Sequence, residues 1–363
     1  MTGKVLILGG YGNFGKRIAR ALTASGTPVI IAGRDEGRAK AEAAALPHGL
    51  ATAVAFDVRD DLRRHLDEVQ PVVVVNTCGP FQNSDYRVAE ACIDAAIHYI
   101  DLADGRDFVT GITTLDARAR ERGVAVISGA STVPALSSAV IEHLRPQFSQ
   151  LHALRFGISP GQRAERGLAT TQGILSYVGK PLRPFAGDDA PSYGWQGIHR
   201  QRFPVLGKRW MANCDIPDLD LLPKAYGLRS IRFSAGLELA PLHLGLWALS
   251  WLVRSGLPIN LPRHAGWLLT ASNLFDPLGS ADGGMFVVLS GLDLDGRPRE
   301  RRWFIVARRG EGPQIPTIPA IILAQKAACG KLSLLGATAC TGLVTLEEYL
   351  AELKPYPIET FLE

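Results

Sequence analysis

Over the first 130 residues, short apolar runs alternate with stretches in which apolar residues recur every three or four positions. The runs Lys4–Leu8, Val29–Ala32, Ala53–Phe56, Val72–Asn76, Tyr99–Leu102 and Val124–Ser128 predict strands. Most are apolar at successive positions rather than alternate ones, as in strands covered on both faces. The stretches between them, Asn13–Ser25, Asp35–Leu46, Asp60–Val69, Asp85–Ala96 and Thr113–Arg122, predict helices. Gly26, Gly49 and Gly123 stand where helices should stop, and Pro71 just precedes the fourth strand. Strand–helix alternation at this spacing needs right-handed crossovers, so the expected fold is α/β with a doubly wound parallel sheet.

Beyond residue 150 the pattern changes. His152–Ser159 and Ser230–Ser234 predict strands, and Phe286–Leu292 and Arg302–Ala307 flank the hairpin-turn dipeptide Asp295-Gly296. A second, α+β domain on a mixed or antiparallel sheet follows, with an apolar helix at Leu239–Val253 to cover it. Gly161–Pro223 is rich in Gly, Pro, Arg and Trp and yields no element. Pro316 and Pro319 precede a predicted helix at Ala320–Ala328 stopped by Gly330, and Thr345-Leu346-Glu347-Glu348 reads as a capping box opening a final helix.

Composition narrows the class. With 47% hydrophobic and 20% charged residues over 363 positions, the chain is an ordinary globular one of about two domains, neither disordered nor collagenous. A net charge of +4, from 39 Lys+Arg against 35 Asp+Glu, offers no basic stripe for nucleic acid. Cys78, Cys92, Cys214, Cys329 and Cys340 are odd in number and widely spaced, so neither a disulfide framework nor a zinc site is expected; a reducing cytoplasm suits them. The histidines form no HExxH or HxxxH pair, and no metal is expected. The N-terminus runs straight into a strand, without a signal-peptide pattern. Leu239–Val253, fifteen uncharged residues, would span about 22 Å as a helix, short of the roughly 30 Å hydrocarbon core. No integral span is expected; a buried or interface helix is, with peripheral membrane contact as the alternative.

One motif carries chemistry. Gly10-Tyr11-Gly12-Asn13-Phe14-Gly15 is a GxGxxG that leaves an apolar strand and opens a helix, the context of a Rossmann dinucleotide site. Gly10 is read as permitting the turn, Gly12 as admitting the pyrophosphate, and Gly15 as letting the helix pack closely. The helix start, Asn13 and Phe14, offers N–H donors to phosphate. An NAD site ends its second strand with an acid about 20 residues on. Here the strand ends Gly33-Arg34-Asp35, with Arg38 one turn later. A guanidinium grips a 2′-phosphate, so NADP is expected, unless Asp35 takes the ribose. Asp57, closing the third strand, can meet the adenine edge or cap the next helix. Thr77-Cys78-Gly79-Pro80 closes the fourth strand at the switch point, where it can line the nicotinamide ribose. Cys78 is read as a buried small hydrophobe rather than a nucleophile.

The Gly10–Gly15 loop, Gly33-Arg34, Asn76-Thr77-Cys78-Gly79-Pro80-Phe81, Ala89-Glu90-Ala91-Cys92 and His98-Tyr99-Ile100-Asp101-Leu102 occur in this order. Together they resemble the NADP-binding domain of the saccharopine dehydrogenase-like family, and Ser128–Pro134 resembles that family's entry into its second domain. The resemblance covers residues 1–145. It implies a discontinuous first domain, 1–134 plus 320–363, around a substrate and dimerisation domain at 135–319. It also implies an NADP(H)-dependent oxidoreductase, a homodimer, acting on a small organic substrate at C=N, C=O or activated C=C. A non-catalytic NADP(H) sensor is the alternative. Where many relatives carry Gly-Glu, this chain has Ala103-Asp104-Gly105, and its middle domain is shorter than in saccharopine-forming enzymes; the amino-acid substrate is therefore not transferred.

Hydride transfer needs a proton donor. Asp101, Asp104 and Ser131 lie near strand ends, and Tyr177, Arg209, Glu238 and His243 come from the middle domain. Asp101, Asp104 and Tyr177 are the candidate catalytic residues. Asp101 reads more readily as a buried cap or ion-pair acid, His243 as a core histidine, and Glu238 as a helix-start acid. Trp247 and Trp251 read as core or dimer contact.

Overall fold

The computed structural model describes residues 2–188 and 190–363. In chain order the elements are β1 (Val5–Leu8), α1 (Asn13–Ala24), β2 (Val29–Gly33), α2 (Glu36–Ala45), β3 (Ala51–Ala55), α3 (Leu62–Val69), β4 (Val73–Asn76), α4 (Arg87–Asp94), β5 (His98–Asp101), α5 (Arg106–Gly111), α6 (Asp116–Glu121) and β6 (Ala125–Ser128). Then follow α7 (Ser137–Leu144), β7 (Gln150–Ser159), α8 (Leu168–Tyr177), β8 (His199–Phe203), β9 (Gly207–Asn213), α9 (Asp218–Tyr226), β10 (Ser230–Ala235), α10 (Ala240–Arg254), α11 (Ala265–Asn273), β11 (Gly283–Leu292) and β12 (Pro298–Ala307). The chain ends with α12 (Ile318–Ala328), β13 (Gly336–Ala339), α13 (Leu346–Leu353) and β14 (Ile358–Leu362).

Two compact units result, Met1–Leu136 with Gln314–Glu352, and Ser137–Pro313 with Leu353–Glu363. The first holds a seven-stranded sheet in the order β13-β6-β5-β4-β1-β2-β3, parallel at every pairing. β1, β4 and β6 are buried at every position, which is why their sequences lack alternation. On α1, Ile18, Ala19 and Leu22 face inward. Gly26, at φ 82°, stops that helix as its N–H bonds the Thr23 carbonyl at 3.0 Å and that of Thr27 bonds Leu22 at 2.9 Å. The order reverses between β1 and β4, so chain leaves β1 for one side and β4 for the other and a crevice opens at their carboxyl ends.

The second unit holds a mixed seven-stranded sheet, β14-β12-β11-β7-β10-β9-β8. β7 and β10 run parallel; the remaining pairings are antiparallel. The β11–β12 hairpin turns over Asp293–Arg297, where Gly296 takes φ 77° and Asp293 accepts the N–H groups of Asp295 (3.0 Å) and Arg297 (2.9 Å).

Three expectations need correction. The first domain does not keep the chain to residue 363, because Ile358–Leu362 pairs with β12 as an outer strand of the second sheet. The helix expected at Thr113–Arg122 is instead a 3-10 turn at Ile112–Leu115 followed by α6, with the unforeseen α5 before them. Gly161–Pro223, silent in sequence, contains α8, β8, β9 and α9.

Candidate functional site

The carboxyl edge of the parallel sheet gathers the loops that follow β1, β2, β3, β4, β5 and β6. After β1 the sharp turn falls on Gly9, at φ 75°, and not on Gly10 as expected. Gly10 is small for another reason: a Cβ there would lie 2.9 Å from Ile31 Cγ2 and 3.1 Å from the Ile7 carbonyl. At Gly15 a Cβ would lie 2.3 Å from the Gly9 carbonyl oxygen, so only glycine lets α1 start this close to the turn. Gly12 differs. A Cβ there would meet only the Gly9 carbonyl, at 3.0 Å, and otherwise open space. Gly12 is also the N-cap of α1, with no side-chain cap and no acid in the first turn. Asn13 is held from below by Arg17, whose guanidinium donates to its carbonyl at 2.5 Å and to its side chain; Phe14 is half-buried beside it. The helix start therefore presents N–H groups and a partial positive charge to a backbone without side chains.

The end of β2 explains why no acid stands there. A Cβ on Gly33 would lie 2.3 Å from Tyr11 Cε1, so the Tyr11 ring excludes a side chain at the position where an NAD site holds its carboxylate. Tyr11 Oη accepts the Asp35 N–H at 3.1 Å, and the Arg38 guanidinium stands 4.5 Å from the ring centroid. Asp35 is the N-cap of α2, accepting the Arg38 N–H at 2.9 Å, which commits it to the helix rather than to a ribose. Arg34 and Arg38 are exposed. Tyr11 escaped the sequence reading because it occupies a variable position of the motif; the signal was Gly33 itself, a glycine ending a buried strand.

Asp57 does not cap α3; Asp61 does, accepting the Arg64 N–H at 3.3 Å. Arg59 grips Asp57 instead, with its Nε at 3.0 Å and Nη2 at 2.6 Å. Those bonds, with a smaller contribution from the charge of Arg34, hold the Asp57 carboxyl down at about 2. After β4, Thr77 ties the crevice together: its hydroxyl donates to the Leu8 carbonyl at 2.8 Å. The Cys78 N–H donates to Asn76 Oδ1 at 3.0 Å, and Asn76 in turn donates to Tyr99 Oη at 3.1 Å. Cys78 as a residue is exposed, because its strand has already ended at Asn76, while its thiol is enclosed enough that burial pushes it up to about 11. Gly79 and Pro80, joined by a cis peptide, continue the loop.

Asp101 is fully buried at the end of β5. Its Oδ1 accepts the N–H of Ala103 (2.9 Å), the N–H of Gly129 (2.8 Å) and the hydroxyl of Ser128 (2.9 Å). It thus clamps the loops after β5 and β6. Burial lifts its carboxyl to about 6 against those bonds. Asp104 accepts a bond from Gln82 Nε2 at 3.0 Å, linking the loops after β4 and β5, and burial likewise raises it.

The residues of the second unit are engaged locally. Tyr177, the last residue of α8, places Oη 2.6 Å from Cys214 Sγ. Arg209 is buried, donating to the Ser159 carbonyl (2.9 Å) and the Asp282 carbonyl (2.8 Å) and pairing with Glu238 at 3.4 Å. Glu238 also accepts the N–H groups of Gln162 (2.7 Å) and Ser280 (2.9 Å), so this pair knits loops together. His243 is buried against Trp195, and its Nδ1 accepts the Leu237 N–H at 3.3 Å. Among the described residues no group of three His, Cys, Asp or Glu could hold a metal ion.

Residues 5–139 match the family described as "Saccharopine dehydrogenase NADP binding domain". No curated protein matches the sequence. Among solved structures, saccharopine dehydrogenase (L-Glu forming) from Saccharomyces cerevisiae is similar over 99% of this chain and 100% of its own, at 13% identity and a TM-score of 0.68, so the two share a fold. An amine dehydrogenase from Mycobacterium smegmatis (10% identity, 93% of this chain and 95% of that one, TM-score 0.49) also matches. So does a meso-dapdh mutant from Clostridium tetani E88 (14%, 97% and 98%, 0.46). An open Gly12 cradle at a bare helix start, and a second strand ending in exposed arginines with an acid sterically excluded, fit the cofactor that this family carries. Residues 5–139 are thus similar to a saccharopine dehydrogenase NADP-binding domain, and the cofactor this match supports is NADP.

Proposed function

We propose that the protein is an NADP(H)-dependent oxidoreductase moving a hydride to or from a small organic substrate at a C=N, C=O or activated C=C bond. The observation that carries this reading is the carboxyl edge itself, where Gly12, Arg34, Arg38 and the Thr77–Pro80 loop surround the β1–β4 crevice. The bound cofactor supplies or accepts the hydride; all else falls to the chain. The first-turn N–H groups of α1 take the pyrophosphate over Gly12, and Arg34 with Arg38 takes the 2′-phosphate. Thr77 fixes the crevice wall, and Cys78, Gly79 and Pro80 border the nicotinamide ribose, while Asp57 with Arg59 stands toward the adenine.

Asp101 acts as a positioning residue, because Oδ1 is committed to two backbone N–H groups and a hydroxyl. Asp104 is the candidate proton donor of this edge: Gln82 Nε2 bonds its Oδ1, and burial raises its carboxyl. Tyr177 is the candidate donor from the second unit, with Cys214 beside its hydroxyl. The engagement of Asp101 also favours a second reading, an NADP(H)-binding sensor without turnover. The test is NADPH oxidation against a panel of imines, ketones and enoyl thioesters. Turnover that Asp104→Asn lowers by about a hundredfold, with NADPH affinity unchanged, is the expected result. Tight NADPH binding without turnover on any class would favour the sensor.

A further inference from the structure

The second unit carries an apolar face that its own core leaves outside. α8, α10, the Leu261–His264 turn and α11 contribute Leu175, Leu249, Leu261 and Ala265 to one cluster that packs on Ala212 of β9. Their other sides therefore point away from the sheet. There Trp267 is 71% exposed, Leu274 78% and Leu278 73%, and Trp251, Leu252 and Leu257 are exposed as well. Of thirteen exposed large hydrophobic residues among those described, Leu168 and seven residues between Trp251 and Leu278 make eight; the other five are scattered singly. Single exposed apolar residues are ordinary, but a concentration of them marks an interaction surface.

The charge on this face has one sign. Residues 168–187 and 239–275 contain no Asp or Glu, and their charged residues are Lys180, Arg183, Arg254 and Arg263. Arg183 pairs with Asp220 at 2.9 Å. Arg254 instead lies over the rings of Tyr193 (3.9 Å) and Trp251 (4.8 Å) and donates to Gln196 at 2.7 Å. Lys180 and Arg263 are exposed. The two acids bordering the second segment are spent on other arginines, Glu238 on Arg209 (3.4 Å) and Asp276 on Arg166 (3.1 Å).

We propose that this face docks on the surface of a bilayer that contains anionic phospholipid. Trp267, Leu274 and Leu278 enter the boundary between headgroups and acyl chains, and Lys180, Arg254 and Arg263 meet the headgroup phosphates. Among the described residues no helix is long and apolar enough to cross a membrane, so the helices lie on it. A second copy of the chain is the poorer partner. A twofold contact through this face would set its cations against themselves with no carboxylate to answer them.

The test is co-sedimentation of the full chain with vesicles of phosphatidylcholine alone and of phosphatidylcholine mixed with phosphatidylglycerol. Binding should favour the mixed vesicles by about tenfold or more and weaken as salt is raised. Trp267→Glu with Leu274→Glu should remove it without changing the melting temperature or NADPH affinity. Lys180→Glu with Arg263→Glu, which leaves the apolar face untouched, should remove the preference for anionic lipid. Absence of binding, or equal binding to both vesicles, overturns the proposal. So does a concentration-dependent dimer in sedimentation velocity that Trp267→Glu with Leu274→Glu abolishes, since the face would then be covered by a second copy.

Discussion

Two glycines of one motif do different work, and the difference is measurable. A methyl group at Gly15 would press on backbone atoms of Gly9 and Gly10 at 2.3 and 2.7 Å, neither of which can yield cheaply. Gly15→Ala should lower the unfolding free energy by about 2–3 kcal/mol, read by chemical denaturation. Gly12→Ala meets only one atom, at 3.0 Å, and should leave the denaturation midpoint close to the parent while weakening NADPH binding by about tenfold or more. Asp101 can be sorted in the same way. Asp101→Asn keeps an Oδ1 for Ala103, Gly129 and Ser128 and should retain turnover. Asp101→Ala strands those donors in a buried site and should cost about 2–4 kcal/mol of stability. Turnover lost in Asp101→Asn with stability intact would make Asp101 a proton donor instead.

Among the elements, those that sequence made legible are those whose cause is local. Fully buried parallel strands need unbroken apolar runs, so β1, β2 and β4 lie within a residue of their predicted bounds. The capping box at α13 was readable for the same reason, and it forms reciprocally: Glu348 N–H to Thr345 Oγ1 at 3.1 Å, Thr345 N–H to Glu348 Oε2 at 2.9 Å. Thr345→Ala should therefore cost about 1 kcal/mol in a denaturant titration. β8 and β9 were illegible because β8 is polar at every position before Phe203 and the chain between them turns on Val205 and Gly207 at positive φ. The role of Tyr11 was illegible too, since the ring's target, Gly33, ends the neighbouring strand β2 and is distant in sequence. At α9, Asp218 is buried with Ser137 donating to it, and burial lifts its carboxyl to about 7. A folded-state value above the ordinary one means that the protonated form is favoured by folding. The associated stability is full below about pH 4 and lost as pH rises through 7. Asp218→Asn should flatten the fall in melting temperature between pH 5 and about 8; an unchanged profile would place the titration elsewhere.

At the level of the whole molecule, the first unit is completed by chain that returns only at Gln314, after leaving it at Leu136. α12 is buried at nine positions, Ile318 to Ala328, and β13 pairs with β6. A chain ending at Leu136 lacks both and should show no cooperative melting transition, although it contains the whole nucleotide-binding motif. Family resemblance made this return of the chain foreseeable; nothing in the first 136 residues did. The last strand was not foreseeable, because Ile358–Leu362 is a short outer strand whose partner, β12, is set by the second sheet. What the whole arrangement serves is one cofactor held at the carboxyl edge of the parallel sheet, with a cation where other dinucleotide sites carry an acid. Its most direct measurement is a fluorescence titration of NADPH and NADH on the parent chain and on Arg34→Ala. NADPH should bind the parent at least about tenfold more tightly than NADH, and Arg34→Ala should erase the difference by weakening NADPH alone. Equal affinities in the parent, or a preference that survives Arg34→Ala, would contradict the account.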